Sequence, residues 1–235
     1  MDTKTRHSLK QDRFAQATKS SMDWMSGHRS GVLRWVIVVV VVVVAVAGAL
    51  IYWGWSSSKA DTALGAALDT YGAPLAMPGA PAISGTYATA ADRSKAANQQ
   101  FLAVAKQYGW LSEGTKAHYF AGVTYEELGN NASAEAELKT AGDSWNRNLA
   151  NLAKLALAGL YHQMDRDPEA INIYNALIAK PSDTVPAAVA QLDLADLYSE
   201  EGKVEQARKL WANVKDADKE GMAGEIAAQK LGGKQ

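Results

Sequence analysis

The 235-residue chain contains no cysteine. That absence excludes disulfides, thiolate metal ligands, a cysteine nucleophile and a lipid-bearing bacterial cysteine. Histidine is scarce as well: His7, His28, His118 and His162 are the four. None stands in the H-E-x-x-H spacing that puts two metal ligands on one helix face. There is no G-x-S-x-G turn and no phosphate-binding P-loop. Charge is missing from two stretches, residues 35–55 and 72–91. Positive charge is in the minority beyond residue 55, where seventeen Lys and Arg face twenty-two Asp and Glu. A mildly acidic domain argues against nucleic acid, because phosphate binding needs a basic face. Paired carboxylates such as Glu126-Glu127, Glu200-Glu201 and Asp193 with Asp196 fit solvated helix faces better than acid–base chemistry. No enzyme, metal site, cofactor or small-molecule substrate is expected.

The first uncharged stretch, Trp35–Trp55, holds 21 residues with an almost unbroken valine run at its centre. A helix of that length spans roughly 31 Å, the thickness of a hydrocarbon core. In water such a β-branched run favours a strand, but in lipid the backbone must satisfy itself, which forces a helix. Trp35 at one end and Tyr52, Trp53 and Trp55 at the other suit the two interfaces. Lys19, Arg29 and Arg34 lie close on the N-terminal side, against Lys59 alone on the other. Positive charge stays inside, so the N-terminus is expected in the cytoplasm and the large domain across the membrane. Ala45 and Ala47 form an A-x-A pattern like that of a cleaved signal peptide. The 34-residue basic region, and the apolar residues that cleavage would leave behind, favour an uncleaved anchor.

Residues 1–34 carry seven Lys and Arg against three Asp. Within them, residues 8–25 read equally as an amphipathic helix on the anionic inner leaflet or as a disordered basic tail. After the anchor, Ala60, Leu64, Ala67, Leu68 and Tyr71 recur at helical spacing, which predicts a helix over about 57–71. Residues 72–91, with Pro74, Pro78 and Pro81 among glycines, predict a long loop.

Beyond residue 92 the sequence repeats. Tyr125, Tyr161 and Tyr198 are spaced 36 and 37 residues apart. Three before each stands Gly122, Ala158 or Ala195; nine after stands Ala134, Ala170 or Ala207; thirteen after stands Leu138, Tyr174 or Trp211. A breaker follows each tyrosine by four: Gly129, Asp165, Gly202. The spacing predicts antiparallel helix pairs, each reversing at its breaker, with small residues where helices approach closely. The expected repeats cover about 115–148, 151–184 and 188–221, with a capping helix at 222–231. A partial fourth unit is expected to join the 57–71 helix to one carrying Ala97, Phe101 and Tyr108.

These residues resemble the tetratricopeptide repeat family, with His118, Lys154 and Gln191 where its early tryptophan usually stands. The implied fold class is all-α: one transmembrane helix followed by a tetratricopeptide-like solenoid of about three to four repeats. The layout of tail, anchor and repeats, with Leu9-Lys10-Gln11-Asp12-Arg13-Phe14 in the tail, is similar to a bacterial family. That family comprises the ancillary subunit of the Sec translocon and shares its repeat domain with a cell-division coordinator. The resemblance implies a single-pass inner-membrane protein with a periplasmic domain. It implies contacts with Sec translocon subunits, periplasmic chaperones or client chains. An envelope-assembly or cell-division organiser is the alternative.

In such a solenoid the first helices build the inner face. Tyr119, Val123, Glu126, Leu152, Leu155, His162, Val189, Leu192 and Asp196 are therefore the expected peptide groove. The competing expectation is that Leu155 and Leu192 are core. Apart from Lys116, the basic rungs that clamp a peptide carboxylate in some repeat domains are missing.

Overall fold

A computed structural model describes residues 29–76 and 85–232. The basic tail, with its alternative readings over residues 8–25, lies outside the described residues. Every regular element among the described residues is a helix; an isolated bridge joins Leu75 to Tyr87. In chain order the helices are α1 (Arg29–Tyr71), α2 (Ala90–Tyr108), α3 (Ser112–Glu127), α4 (Asn131–Gly142), α5 (Arg147–Gln163), α6 (Asp167–Ala179), α7 (Ala187–Glu200), α8 (Val204–Ala217) and α9 (Met222–Gly232).

The chain divides into two compact units, the first ending at Ser56 and the second starting at Ser57. In the first, α1 contains a window of mean hydropathy 3.0 with none of its residues buried. It is the one helix among the described residues long and apolar enough to cross a membrane. The helix expected over 57–71 is not a separate element but the last turns of α1. Ser56-Ser57-Ser58 continue the helix, since serine lowers helix propensity only slightly. No proline or left-handed residue breaks the helix there.

The second unit is built from reversals. Gly129, Asp165 and Gly202 all take the left-handed backbone, at φ 72°, 57° and 77°. The amide after each breaker donates to the carbonyl of the repeat tyrosine: Asn130 to Tyr125 at 2.8 Å, Arg166 to Tyr161 at 2.8 Å, Lys203 to Tyr198 at 2.7 Å. The breaker's own amide donates to Glu126, His162 and Ser199 in turn. This pair of bonds is the Schellman motif, and it satisfies carbonyls that a helix end leaves orphaned. The tyrosine spacing is thus the spacing of one turn type used three times. Glycine takes this backbone freely, whereas Asp165 takes it against a side-chain clash.

The chain then returns along the helix it left. Ala134, Ala170 and Ala207 close the first turn of α4, α6 and α8, and all three are fully buried. A Cβ on Gly122 would lie 2.6 Å from Leu138 Cγ, so α3 and α4 touch only because that position is bare. Leu138, Tyr174 and Trp211, the large residues of the repeat, are buried in turn. The same antiparallel logic joins Ser57–Tyr71 to α2. Arg93 donates to the Ala73 carbonyl, while Thr70 bonds Gln100 farther along α2. Phe101 stacks on Phe120 of α3 with centroids 5.2 Å apart. Buried Asn98 pins the same pair of helices by donating to the Ala121 carbonyl and to Thr124 Oγ1.

Odd-numbered helices from α3 onward therefore run away from one end of the unit and even-numbered helices return to it. The loop after α6 confirms the arrangement: Lys180 and Thr184 bond Asn151 and Asn148 at the start of α5.

The stability of three variants tests this account. Replacing Ala170 by Trp overpacks a close crossing and should cost about 1–3 kcal/mol in urea unfolding. An unchanged midpoint would show that α5 and α6 do not meet there. At the turns the open space around Gly202 leaves only backbone strain to oppose a side chain. Gly202→Ala should lower stability by about 1–2 kcal/mol, and Asp165→Gly should not lower it at all.

Candidate partner-binding surfaces

The nine residues of the expected groove sit where three helices lie side by side. Tyr119, Val123 and Glu126 are on α3; Leu152, Leu155 and His162 on α5; Val189, Leu192 and Asp196 on α7. All nine are half-buried. Tyr119, Leu152 and Leu155 pack their inner parts against the core around α4–α7, and Leu192 packs against the core of α7–α9. Groove and core are not exclusive here, because each apolar side chain is covered on one side and open on the other.

The polar members bind across helices. Glu126 accepts from Gln163 of α5 at 2.7 Å. His162 meets Glu200 of α7 through Nε2 at 2.9 Å, while its Nδ1 meets Asp167 at 2.6 Å. Asp196 accepts from Lys230 of α9 at 2.8 Å. One polar bridge thus ties each odd helix to the next, from α3 through α5 and α7 to α9. Glu126 and Glu200, which read in sequence as solvated acids, are rungs of this ladder. Gln163, Glu200 and Lys230 were missed as its other halves. The legible signal was their separation of 34 to 38 residues from their partners, about one repeat.

A second feature lies on the returning helices. An open pocket of about 440 Å³ between α4 and α6, above α5, is lined by Leu157, Ile173 and Ala176 with Lys139, Lys154 and Glu169 among its polar residues. None of the nine sequence-derived residues lines it. Beside it, Glu135 accepts from Lys139 at 2.6 Å, from the Tyr161 hydroxyl at 2.9 Å and from Arg166 at 2.8 Å. The Arg166 guanidinium covers the Tyr161 ring 4.1 Å from its centroid. Lys139 above all, then Tyr161 and Arg166, hold the Glu135 carboxyl down to about 2. The Lys139 ammonium is held up by the same partnership. Both groups stay charged across the neutral range, so neither suits proton transfer there, which needs a pKa near the working pH. Among the described residues, no three His, Cys, Asp or Glu side chains gather as a metal ion would require. These surfaces combine apolar floors, paired charges and hydrogen-bonding side chains.

His162 makes the ladder sensitive to pH. Its hydrogen bond to Asp167 raises the imidazole pKa above 6.5, and Glu200 adds to the effect while burial opposes it. A histidine raised on folding contributes its full stability below the ordinary pKa and loses it as pH rises through the raised one. The melting temperature of His162→Gln should therefore fall further below wild type at about pH 5.5 than at about pH 8.5. An equal gap at both pH values would remove His162 as a charged bridge. No protein-family model matches the sequence, and no curated protein is significantly similar to it.

Proposed function

We propose that this chain is a membrane-anchored protein–protein interaction scaffold built on tetratricopeptide-like repeats. The observation that carries the reading is the row of odd helices with their charges bridged to one another. Once Glu126, His162 and Asp196 are engaged between helices, Tyr119, Leu155 and Leu192 are left as half-open apolar steps. Such a surface suits an extended or helical peptide held by shape and apolar contact. The apolar segment Trp35–Trp55 within α1 is the anchor, set in a bacterial inner membrane. Arg29 and Arg34 on its N-terminal side favour a cytoplasmic N-terminus and a periplasmic repeat domain. Anchoring raises the domain's effective concentration near membrane partners, so individually weak contacts suffice. The partners favoured by the layout of the chain are Sec translocon subunits, periplasmic chaperones or their clients.

Crosslinking in intact cells, followed by identification of the captured proteins, tests the reading. Export or chaperone components are the expected capture; wall-synthesis or division proteins would instead favour an envelope organiser. Combining Tyr119→Ser, Leu155→Ser and Leu192→Ser should weaken capture about tenfold or more, as loss of central apolar anchors does. Membrane insertion should survive, with a small drop in melting temperature. Collapse of the melt would mean that the three residues act as core.

A further inference from the structure

Large exposed apolar side chains in the second unit are unevenly placed. Trp110 lies between α2 and α3 and is 55% exposed; Trp145 lies between α4 and α5 and is 90% exposed. Met222, 79% exposed, opens α9 directly after the loop from α8. All three positions are connections from an even helix to the following odd one. By the antiparallel packing, these connections share one end of the unit. The Schellman turns at Gly129, Asp165 and Gly202 share the opposite end and bear no exposed large apolar residue. Among the described residues Leu75 and Ile226 complete the exposed set; Leu75 follows α1 at the turn end and Ile226 sits within α9.

The two ends also differ in charge. Asp92, Glu126, Glu127, Asp165, Asp167, Glu200 and Glu201 crowd the turn end, against Arg93, Arg166 and Lys203. The connection end has Asp143, Asp183, Asp218 and Glu220 balanced by Arg147, Lys180 and Lys219 near Lys106. A bilayer with anionic headgroups repels the first end and tolerates the second.

The chain enters the unit at the connection end. Thr70 and Ala73 meet α2 at Gln100 and Arg93, so Ser57, about 20 Å earlier along the helix, lies toward the end where α2 finishes at Tyr108. In the sequence Ser57 stands two residues after Trp55, where the apolar segment ends. An exposed tryptophan has little reason to face bulk water, but its ring suits the headgroup layer, with an apolar body and a polar N–H.

We propose that the connection end of the helical unit is a lipid-binding surface, with Trp110, Trp145 and Met222 seated in the headgroup layer of the bilayer. The seating would hold the row of odd helices with their N-terminal ends toward the membrane and the acidic turns pointing away. It rests on the proposed membrane anchor. Two interfacial tryptophans at one end would fix which end of the unit meets the bilayer.

The absence of cysteine makes the test direct. Asp143→Cys places one thiol beside Trp145 and Glu201→Cys places one at the opposite end; both native residues are exposed. Each full-length variant is labelled with an environment-sensitive fluorophore. It is then reconstituted into vesicles of zwitterionic and anionic phospholipid doped with a headgroup spin-label quencher. Quenching at position 143 should exceed that at 201 at least about twofold, as interfacial seating implies. Adding Trp110→Ser and Trp145→Ser should bring it down to the level at 201. Equal quenching at the two positions overturns the proposal, as does quenching at 143 that survives loss of both tryptophans. Flotation of the vesicles and resistance to alkaline extraction report the anchor separately. Protein that floats and resists extraction without selective quenching defeats the lipid-binding surface alone; protein that fails to float defeats the anchor.

Discussion

At Gly129, Asp165 and Gly202 the chain must reverse within three residues while leaving no buried carbonyl unpaired. The left-handed backbone at those positions meets both demands, because it aims the breaker's own amide and the one after it back at the helix just ended. Once the reversal is set, the returning helix has one place to go. Its fourth residue then faces the helix it left and has room only for a small side chain, as Ala134, Ala170 and Ala207 are. The large residue one turn later reaches past that crossing toward the next pair. The helical unit is thus a consequence of a turn, a small residue and a large one, recurring in register.

The same turns have acquired different chemistry. At the second, Arg166 follows the breaker and covers the ring of Tyr161, whose hydroxyl donates to Glu135. At the third, Lys203 lies 5.5 Å from the Tyr198 ring centroid. The first has Asn130, which caps α4 by accepting from the Ser133 amide. A position specified only by backbone geometry leaves its side chain free to diverge. That freedom lets the second turn carry the Glu135 assembly.

Charge in this unit is spent internally. Glu126, His162 and Asp196 each bridge to the next odd helix, so the surface they share is held together laterally and presents less bare charge than its composition suggests. Exposed ion pairs contribute little individually. Their value here is positional: they keep neighbouring helices in register while the half-open apolar residues between them stay accessible.

The helical class, the long apolar segment, the three reversals and the buried positions of the repeat were all legible in the sequence. Each depends on local rules: helical periodicity, a breaker with left-handed tolerance, and apolar length. The continuity of α1 through Ser56-Ser57-Ser58 was not legible, because serine is neither a helix breaker nor a strong helix former, and the neighbouring turns decide. The partners of Glu126, His162 and Asp196 were also hidden, since they lie a whole repeat away and only the stacking of one pair on the next brings them within bonding distance. Local sequence by itself determined where the chain bends and which face of each helix must be covered. Tertiary structure alone decided which polar side chains meet, that the pocket opens between α4 and α6, and that Trp110, Trp145 and Met222 share an end, because those are relations between segments that no local rule links.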